Sequence, residues 1–182
     1  VTVLRLDLTD DASIDAAAAA VGDAHGRADL VLNASGILHG GDVGMPETAL
    51  ARVSRTALTA AYEINAAGPI LVAKAFEPLL RTAGKDRAAA GAPPAVLASI
   101  SARVGSISDN GLGGWHSYRA SKAALNMLTV NAALEFARKK AGVAAIVLHP
   151  GTCETDLSAP FRRGVPPGKL FSVERGASQL LS

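Results

Sequence analysis

Short apolar runs alternate with longer helical segments, and this alternation constrains the fold of the chain more than any other feature. The runs at 1–6, 29–33, 95–101 and 143–149 are rich in Val, Leu, Ile and Ala, and each leads into a polar or glycine-containing turn. Such alternation predicts an α/β domain with a parallel sheet and right-handed crossovers. The strands are apolar on both faces, which indicates that helices cover both sides of the sheet.

The segments between the runs complete this prediction. We expect helices over 12–24, 47–82 and 118–140, a last helix near Val173, and loops over 37–46, 83–94, 102–115 and 152–171. The Asp and Ser residues near position 10 suit a helix N-cap, and Pro69 is expected to kink or split its helix. No internal repeat or linker is visible, so residues 1–182 are predicted to form a single domain.

Composition excludes several classes of protein. The chain is 49% hydrophobic and 19% charged, and no window of about 18 apolar residues is free of charge or proline, so disorder and a membrane span are not expected. The net charge of +2 comes from scattered residues, which disfavours nucleic-acid binding. The histidines and Cys153 show no metal-ligand spacing, and a lone cysteine fits a reducing compartment. With no signal peptide visible, we expect a cytoplasmic protein.

Ligand-binding residues are expected where the strands end. In an open α/β sheet, ligands bind beyond the carboxyl ends of the strands, and the turns at 7–10, 33–36, 99–106 and 149–156 all fall there. The pair Tyr118 and Lys122 opens a helix after a glycine-containing loop, and residues four apart share one helix face. A nearby ammonium favours phenolate, so Lys122 is expected to lower the pKa of Tyr118 and make a general acid/base. The alternative is a surface pair at chance spacing.

The surroundings of this pair resemble the short-chain dehydrogenase/reductase family over most of the chain and in the family's order. The matching motifs are Tyr118-x-Ala-Ser-Lys122-Ala-Ala-Leu125, Asp7-Leu8, Asn33-Ala-Ser-Gly36, Asn65 in its helix, and Pro150-Gly-Thr-Cys-Glu-Thr155. The stretch Gly105-Ser-Ile, followed by Asn110 to Lys122, is most similar to the small carbonyl-reductase branch related to developmental C-signal proteins.

The resemblance implies an NAD(P)-dependent oxidoreductase that transfers hydride between nicotinamide and a small-molecule carbonyl or alcohol. Tyr118 would exchange the substrate proton, Lys122 would hold the ribose, Ser101 would polarise the oxygen, and Asn65 would support a proton relay through a carbonyl that binds water. The implied cofactor is NADP or NAD, with NADP favoured, and homo-oligomer contacts are expected. The implied cofactor-binding residues are Asp7, Leu8, Asn33, Ala34, Gly36, Tyr118, Lys122, Pro150, Gly151 and Thr155.

Several of these residues have an alternative structural role. Asp7 suits either a hydrogen bond to adenine or a helix N-cap. Asn33 suits a tie between two strand ends, and Gly36 suits either close approach of a ribose or a positive φ. Without the Pro-Gly turn that precedes it, Thr155 would be interpreted as an ordinary loop residue. Trp115, with its neighbour at 116, is expected either to line a substrate pocket or to pack beside the loop.

The chain departs from the family pattern at the catalytic serine. The family carries Ser-Ser-x-x-Gly with the second serine catalytic, and counting back from Gly105 places Ala102 at that position. Ser101 lies one residue early and Ser106 follows the glycine, so we take Ser101 as the substitute. A serine hydrolase built on Ser101 and His149 is disfavoured, because no Gly-x-Ser-x-Gly elbow is present.

The second departure is the nucleotide-phosphate loop. The family's Gly-x-x-x-Gly-x-Gly turn does not precede Val1, and the first residue is not Met. We therefore expect an N-terminally truncated member, a Rossmann-like doubly wound parallel sheet that lacks the first βαβ portion. The run Val1 to Leu6 then either pairs with strand 29–33 or hangs loose. The alternative function is a non-catalytic relative that acts as an interaction module.

Overall fold

A computed structural model describes residues 1–181 and shows an α/β domain built on a parallel sheet. Its strands are β1 (Leu30–Asn33), β2 (Ala95–Ile100) and β3 (Val143–Leu148), and a separate parallel pair joins β4 (Thr152–Cys153) to β5 (Leu170–Phe171). The helices are α1 (Asp11–His25), α2 (Arg55–Tyr62), α3 (Gly68–Ala89), α4 (His116–Arg138) and α5 (Val173–Leu181). The fold class predicted from the sequence is confirmed.

The sheet has the order β1-β2-β3, with Leu30 beside Val96 and Ala95 beside Val143. A core of buried side chains from α1, α3, α4 and the strands covers one face. The opposite face carries Leu32 of β1 and Ile146 of β3, which lie on either side of Ala98 of β2 and are 41% and 40% exposed. Helices therefore cover one side of the described sheet, whereas the sequence predicted cover on both.

The predicted strand at Val1 to Leu6 is wrong. These residues form no strand, and Val3 is 90% exposed. An apolar run becomes a strand only when a neighbouring strand accepts its backbone hydrogen bonds, and this segment has none within the described residues. Of the two outcomes expected, the segment takes the second and lies loose beside the sheet.

The predicted long helix over 47–82 starts later, is divided, and ends later. It begins at Arg55, where Ser54 accepts a hydrogen bond from the amide of Ala57, and a π-helical turn spans Glu63–Ala67 before α3. Pro69 cannot donate to the carbonyl of Asn65 four residues earlier, which gives a physical reason for the division. The alanine-rich stretch after residue 82 continues α3 to Ala89, so the loop predicted from residue 83 starts too early.

Within residues 1–181, no helix is long and apolar enough to cross a membrane. Across the same residues, no group of three or more His, Cys, Asp and Glu side chains is arranged to hold a metal ion.

Candidate active site

Tyr118 and Lys122 lie on the first turns of α4, on one face of the helix. Both are buried, with 8% and 2% of their surface exposed. The Lys122 ammonium lies 5.9 Å from the centre of the Tyr118 ring and donates a 2.9 Å hydrogen bond to the carbonyl of Ile100 at the end of β2. The pair predicted from the sequence is therefore assembled at the carboxyl end of the sheet.

The pKa of Tyr118 departs from the expectation. Burial raises the pKa of Tyr118 to about 12, and burial lowers the pKa of Lys122 to about 8. The predicted lowering of the Tyr118 pKa by Lys122 is wrong for the chain alone, because burial disfavours the charged form of each group. The phenol is protonated at neutral pH, and the ammonium keeps most of its charge.

Asn65 lies fully buried beside this pair, within the π-helical turn. Its amide nitrogen donates to the carbonyl of Ile37 at 2.8 Å and to the hydroxyl of Ser121 at 3.0 Å, and its oxygen accepts from the amide of Ile37 at 2.7 Å. The side chain thus fixes the turn after β1 against the helix that carries Tyr118. The relay predicted for the Asn65 main-chain carbonyl stays a prediction.

Gly36 lies next to the side chains of both Asn65 and Lys122. A Cβ built on Gly36 would lie 3.3 Å from the Lys122 ammonium and 3.2 Å from the Asn65 amide oxygen. Gly36 itself is exposed. The absence of a side chain therefore leaves open surface directly above a buried cation, where an oxygen-rich ligand can approach.

Asn33 has the structural role expected of it. Its side-chain nitrogen donates to the hydroxyl of Ser99 at 3.2 Å and to the carbonyl of Pro69 at 3.4 Å, so it joins β1, β2 and the start of α3. A cleft of about 340 Å³ beside β1 brings together three of the cofactor-binding candidates, Leu8, Asn33 and Ala34. This cleft lies next to the Gly36 turn.

Asp7 is not the N-cap of α1. That position belongs to Asp10, whose carboxylate accepts from the amide of Ala12 at 3.0 Å, as expected for the acidic residues near position 10. The Asp7 carboxylate accepts from the amide and the hydroxyl of Thr9 at 2.9 and 2.7 Å. Its role toward adenine stays a prediction.

The segment after β3 carries Pro150, Gly151 and Thr155. Gly151 has a φ of 78°, and a Cβ there would lie 2.5 Å from the ring of Phe171, so only glycine suits this turn. Thr155 is exposed, and its carbonyl accepts from the Arg162 guanidinium at 2.7 Å. Contact of Thr155 with a cofactor stays a prediction.

Ser101 lies at the end of β2, with its hydroxyl donating to the amide oxygen of Asn126 at 2.6 Å. A serine hydroxyl has one hydrogen, so in this arrangement Ser101 offers no donor to a substrate oxygen. Ser106 is paired with Ser108 at 3.3 Å in the exposed loop that follows. The catalytic role of Ser101 stays a prediction that this geometry does not favour.

Two features at the site had no local signal in the sequence. A chain of three aromatic rings leads away from Tyr118: Trp115 lies 6.3 Å from Tyr118, Phe161 lies 4.9 Å from Trp115, and His39 lies 5.8 Å from Phe161. Glu47 is buried and accepts hydrogen bonds from Ser117. Both features join distant parts of the chain. The sequence anticipated only part of the first, through the expectation that Trp115 lines a pocket or packs beside the loop.

The parallel sheet and the buried Tyr118–Lys122 pair at its carboxyl end define a Rossmann-type α/β domain. The family model for short chain dehydrogenases matches residues 1–165. A 1-hydroxy-2-glutathionyl-2-methyl-3-butene dehydrogenase from Rhodococcus sp. (strain AD45) is 33% identical over 97% of this chain and 68% of its own length. The C-signal protein of Myxococcus xanthus is 32% identical over 74% of this chain and 71% of its own.

Solved structures agree. An NADPH-bound carbonyl reductase from chicken fatty liver superposes with a TM-score of 0.81 at 30% identity, covering 99% of this chain and 68% of that one. The carbonyl reductase Sniffer of D. melanogaster gives a TM-score of 0.80 at 25% identity, covering 98% and 67%. The protein belongs to the short-chain dehydrogenase/reductase family, and it spans about two thirds of the length of these relatives.

Proposed function

We propose that the protein is an NAD(P)-dependent oxidoreductase that acts on a carbonyl or alcohol substrate. The observation that carries the proposal is the buried Tyr118–Lys122 pair, held beside Asn65 under the open surface at Gly36. A nicotinamide cofactor would supply the hydride. The family match favours this activity over a non-catalytic interaction module.

The residues present fit the ribose and adenosine side of such a cofactor. Lys122 supplies a buried ammonium below Gly36, and the cleft at Leu8, Asn33 and Ala34 offers an apolar wall with backbone groups at the end of β1. We propose NADP as the cofactor, supported by the NADPH bound in the chicken carbonyl reductase to which this chain is similar.

The protonation state of Tyr118 suits the proton-donating step of carbonyl reduction at neutral pH. A phenol whose pKa is about 12 holds its proton and can donate it to a substrate oxygen as negative charge develops there. The charge on Lys122 stabilises the phenolate that remains, since an opposite charge nearby favours the ionised form. Trp115 and Phe161 would form the wall of the substrate site next to the phenol.

A cytoplasmic location and a small-molecule substrate belong to the same proposal. Cys153 is a free thiol, which suits a reducing compartment.

Ser101→Ala should reduce turnover less than about tenfold, because the Ser101 hydrogen is committed to Asn126. Removal of a hydrogen bond to a developing oxyanion usually costs about 10²–10³ in turnover, so the two roles are separable by rate. The measurement is kcat for carbonyl reduction, with Ser106→Ala in the following loop as the control. A hundredfold loss at unchanged KM would restore Ser101 as the group that polarises the substrate oxygen.

Cofactor binding by the 182-residue chain tests the proposed function directly. Trp115 is the only tryptophan and adjoins Tyr118, so its fluorescence reports on this site. We expect saturable quenching by NADPH, weaker quenching by NADH, and loss of both responses in Lys122→Met but not in the exposed Lys74→Met. Absence of saturation by a folded chain with either nucleotide would contradict the proposal.

A further inference from the structure

We propose that Glu47 is a positioning residue that holds the first turn of α4 and thereby sets the orientation of Tyr118. Its effect on turnover rests on the proposed function, whereas its effect on the turn does not. Glu47 lies in the loop before α2, far from Tyr118 in the sequence.

The first observation is a buried carboxylate with a specific partner. Glu47 is 4% exposed, and acidic side chains are almost never fully buried unless they are paired. One carboxylate oxygen accepts from the amide of Ser117 at 3.2 Å, and the other accepts from the Ser117 hydroxyl. Burial raises the pKa of Glu47, but the hydrogen bonds from Ser117 and from the main chain of Glu47, together with the nearby His116, outweigh it and lower the pKa, so the group is ionised at neutral pH.

The second observation is that α4 has no cap of its own. The residue before the helix is Trp115, which has a φ of 52° and makes no side-chain hydrogen bond to the first turn. The first amides of a helix have no partner within it, and a carboxylate near them is favourable. Glu47 supplies from a distant loop the acceptor that a local Ser, Thr, Asp or Asn usually provides.

The main chain of Glu47 holds the same turn from its other side. Its carbonyl accepts from the amide of Trp115 at 2.5 Å, and a Cβ on Gly114 would lie 3.4 Å from that carbonyl. Glu47 therefore fixes the turn at the amides of both Trp115 and Ser117. Tyr118 is the next residue, with its ring edge-on to Trp115, so rotation of this turn would displace the phenol.

The expected kinetic signature separates positioning from binding. A displacement of about 1 Å at a reacting group can cost about 10²-fold in rate. Glu47→Ala should therefore lower kcat by about 10–100-fold while substrate KM changes less than about threefold. Glu47→Gln should recover most of this loss, because an amide can accept from the Ser117 amide and donate to the Ser117 hydroxyl.

The test combines this kinetic split with two measurements that need no turnover, namely Trp115 emission and amide hydrogen exchange. In Glu47→Ala we expect residues 115–118 to exchange at least about tenfold faster and Trp115 emission to shift to the red, with exchange in β2 unchanged. Glu47→Gln should resemble the unmodified chain. If Glu47→Ala does not fold, Ser117→Ala removes only the hydroxyl donor and should give the same local changes in smaller degree.

Unchanged exchange and emission in Glu47→Ala, or equal impairment in Glu47→Ala and Glu47→Gln, would overturn the proposal. A chain without turnover that still shows the local changes would contradict the proposed function alone.

Discussion

Tyr118→Phe should abolish carbonyl reduction and leave the fold intact. The change removes one hydroxyl from a buried side chain and keeps the ring in contact with Trp115. Proton transfer by a positioned side chain usually contributes about 10²–10⁴ in rate, so a loss of at least two orders of magnitude in kcat is expected. The measurement is NADPH consumption with aldehydes and ketones at saturating cofactor.

Tyr62→Phe is the matched control, because Tyr62 is the only other tyrosine and is 48% exposed on α2. We expect this variant to keep full turnover. Circular dichroism and NADPH binding should be the same in both variants, which separates loss of the proton donor from loss of the site. Turnover within tenfold of the unmodified chain in Tyr118→Phe would remove Tyr118 from the mechanism.

Helical spacing was sufficient to predict that the two main candidate residues meet. Residues four apart on a helix share a face, so the spacing placed Lys122 beside Tyr118, whereas the functional interpretation of the pair came from the surrounding motifs that resemble the family. The tie made by Asn33 also followed from an amide at a strand end, and the structure shows it between β1 and β2. These predictions needed only the periodicity of one element or the meeting of two strand ends.

Properties that depend on distant parts of the chain were not predictable in this way. The pKa of Tyr118 is set by burial, which the other elements create, and the sequence suggested the opposite direction. Val1 to Leu6 has the composition of a strand but no neighbouring strand among residues 1–181. Glu47 and Ser117 are 70 residues apart, and a single glutamate in a loop carries no signal of its partner.

Lys122→Met should abolish cofactor-dependent turnover and at the same time stabilise the chain. Burial lowers the pKa of Lys122 from the usual 10.5 to about 8, and one pKa unit corresponds to about 1.4 kcal/mol. The charged form at neutral pH therefore costs the folded state on the order of a few kcal/mol. Loss of the hydrogen bond to Ile100 offsets part of the gain, so we expect a net increase of about 1–2 kcal/mol in the free energy of unfolding.

The pH dependence gives an independent check of this prediction. Because the pKa of Lys122 is lower in the folded than in the unfolded chain, the unfolded chain binds more protons between about pH 8 and 10.5. The contribution of Lys122 to the free energy of unfolding should therefore rise with pH across that window. The rise in the free energy of unfolding should be smaller in Lys122→Met than in the unmodified chain. Urea unfolding at a series of pH values measures the difference.

Lys74→Met is the matched control, since Lys74 is exposed on α3 and its replacement should leave turnover unchanged. If Lys122 has a structural role, its replacement should lower the stability of the fold. If Lys122 has a role in the reaction, it holds a buried charge without which the fold would be more stable. Destabilisation by Lys122→Met with turnover retained would therefore assign Lys122 to packing, and gain of stability with loss of turnover would assign it to the reaction.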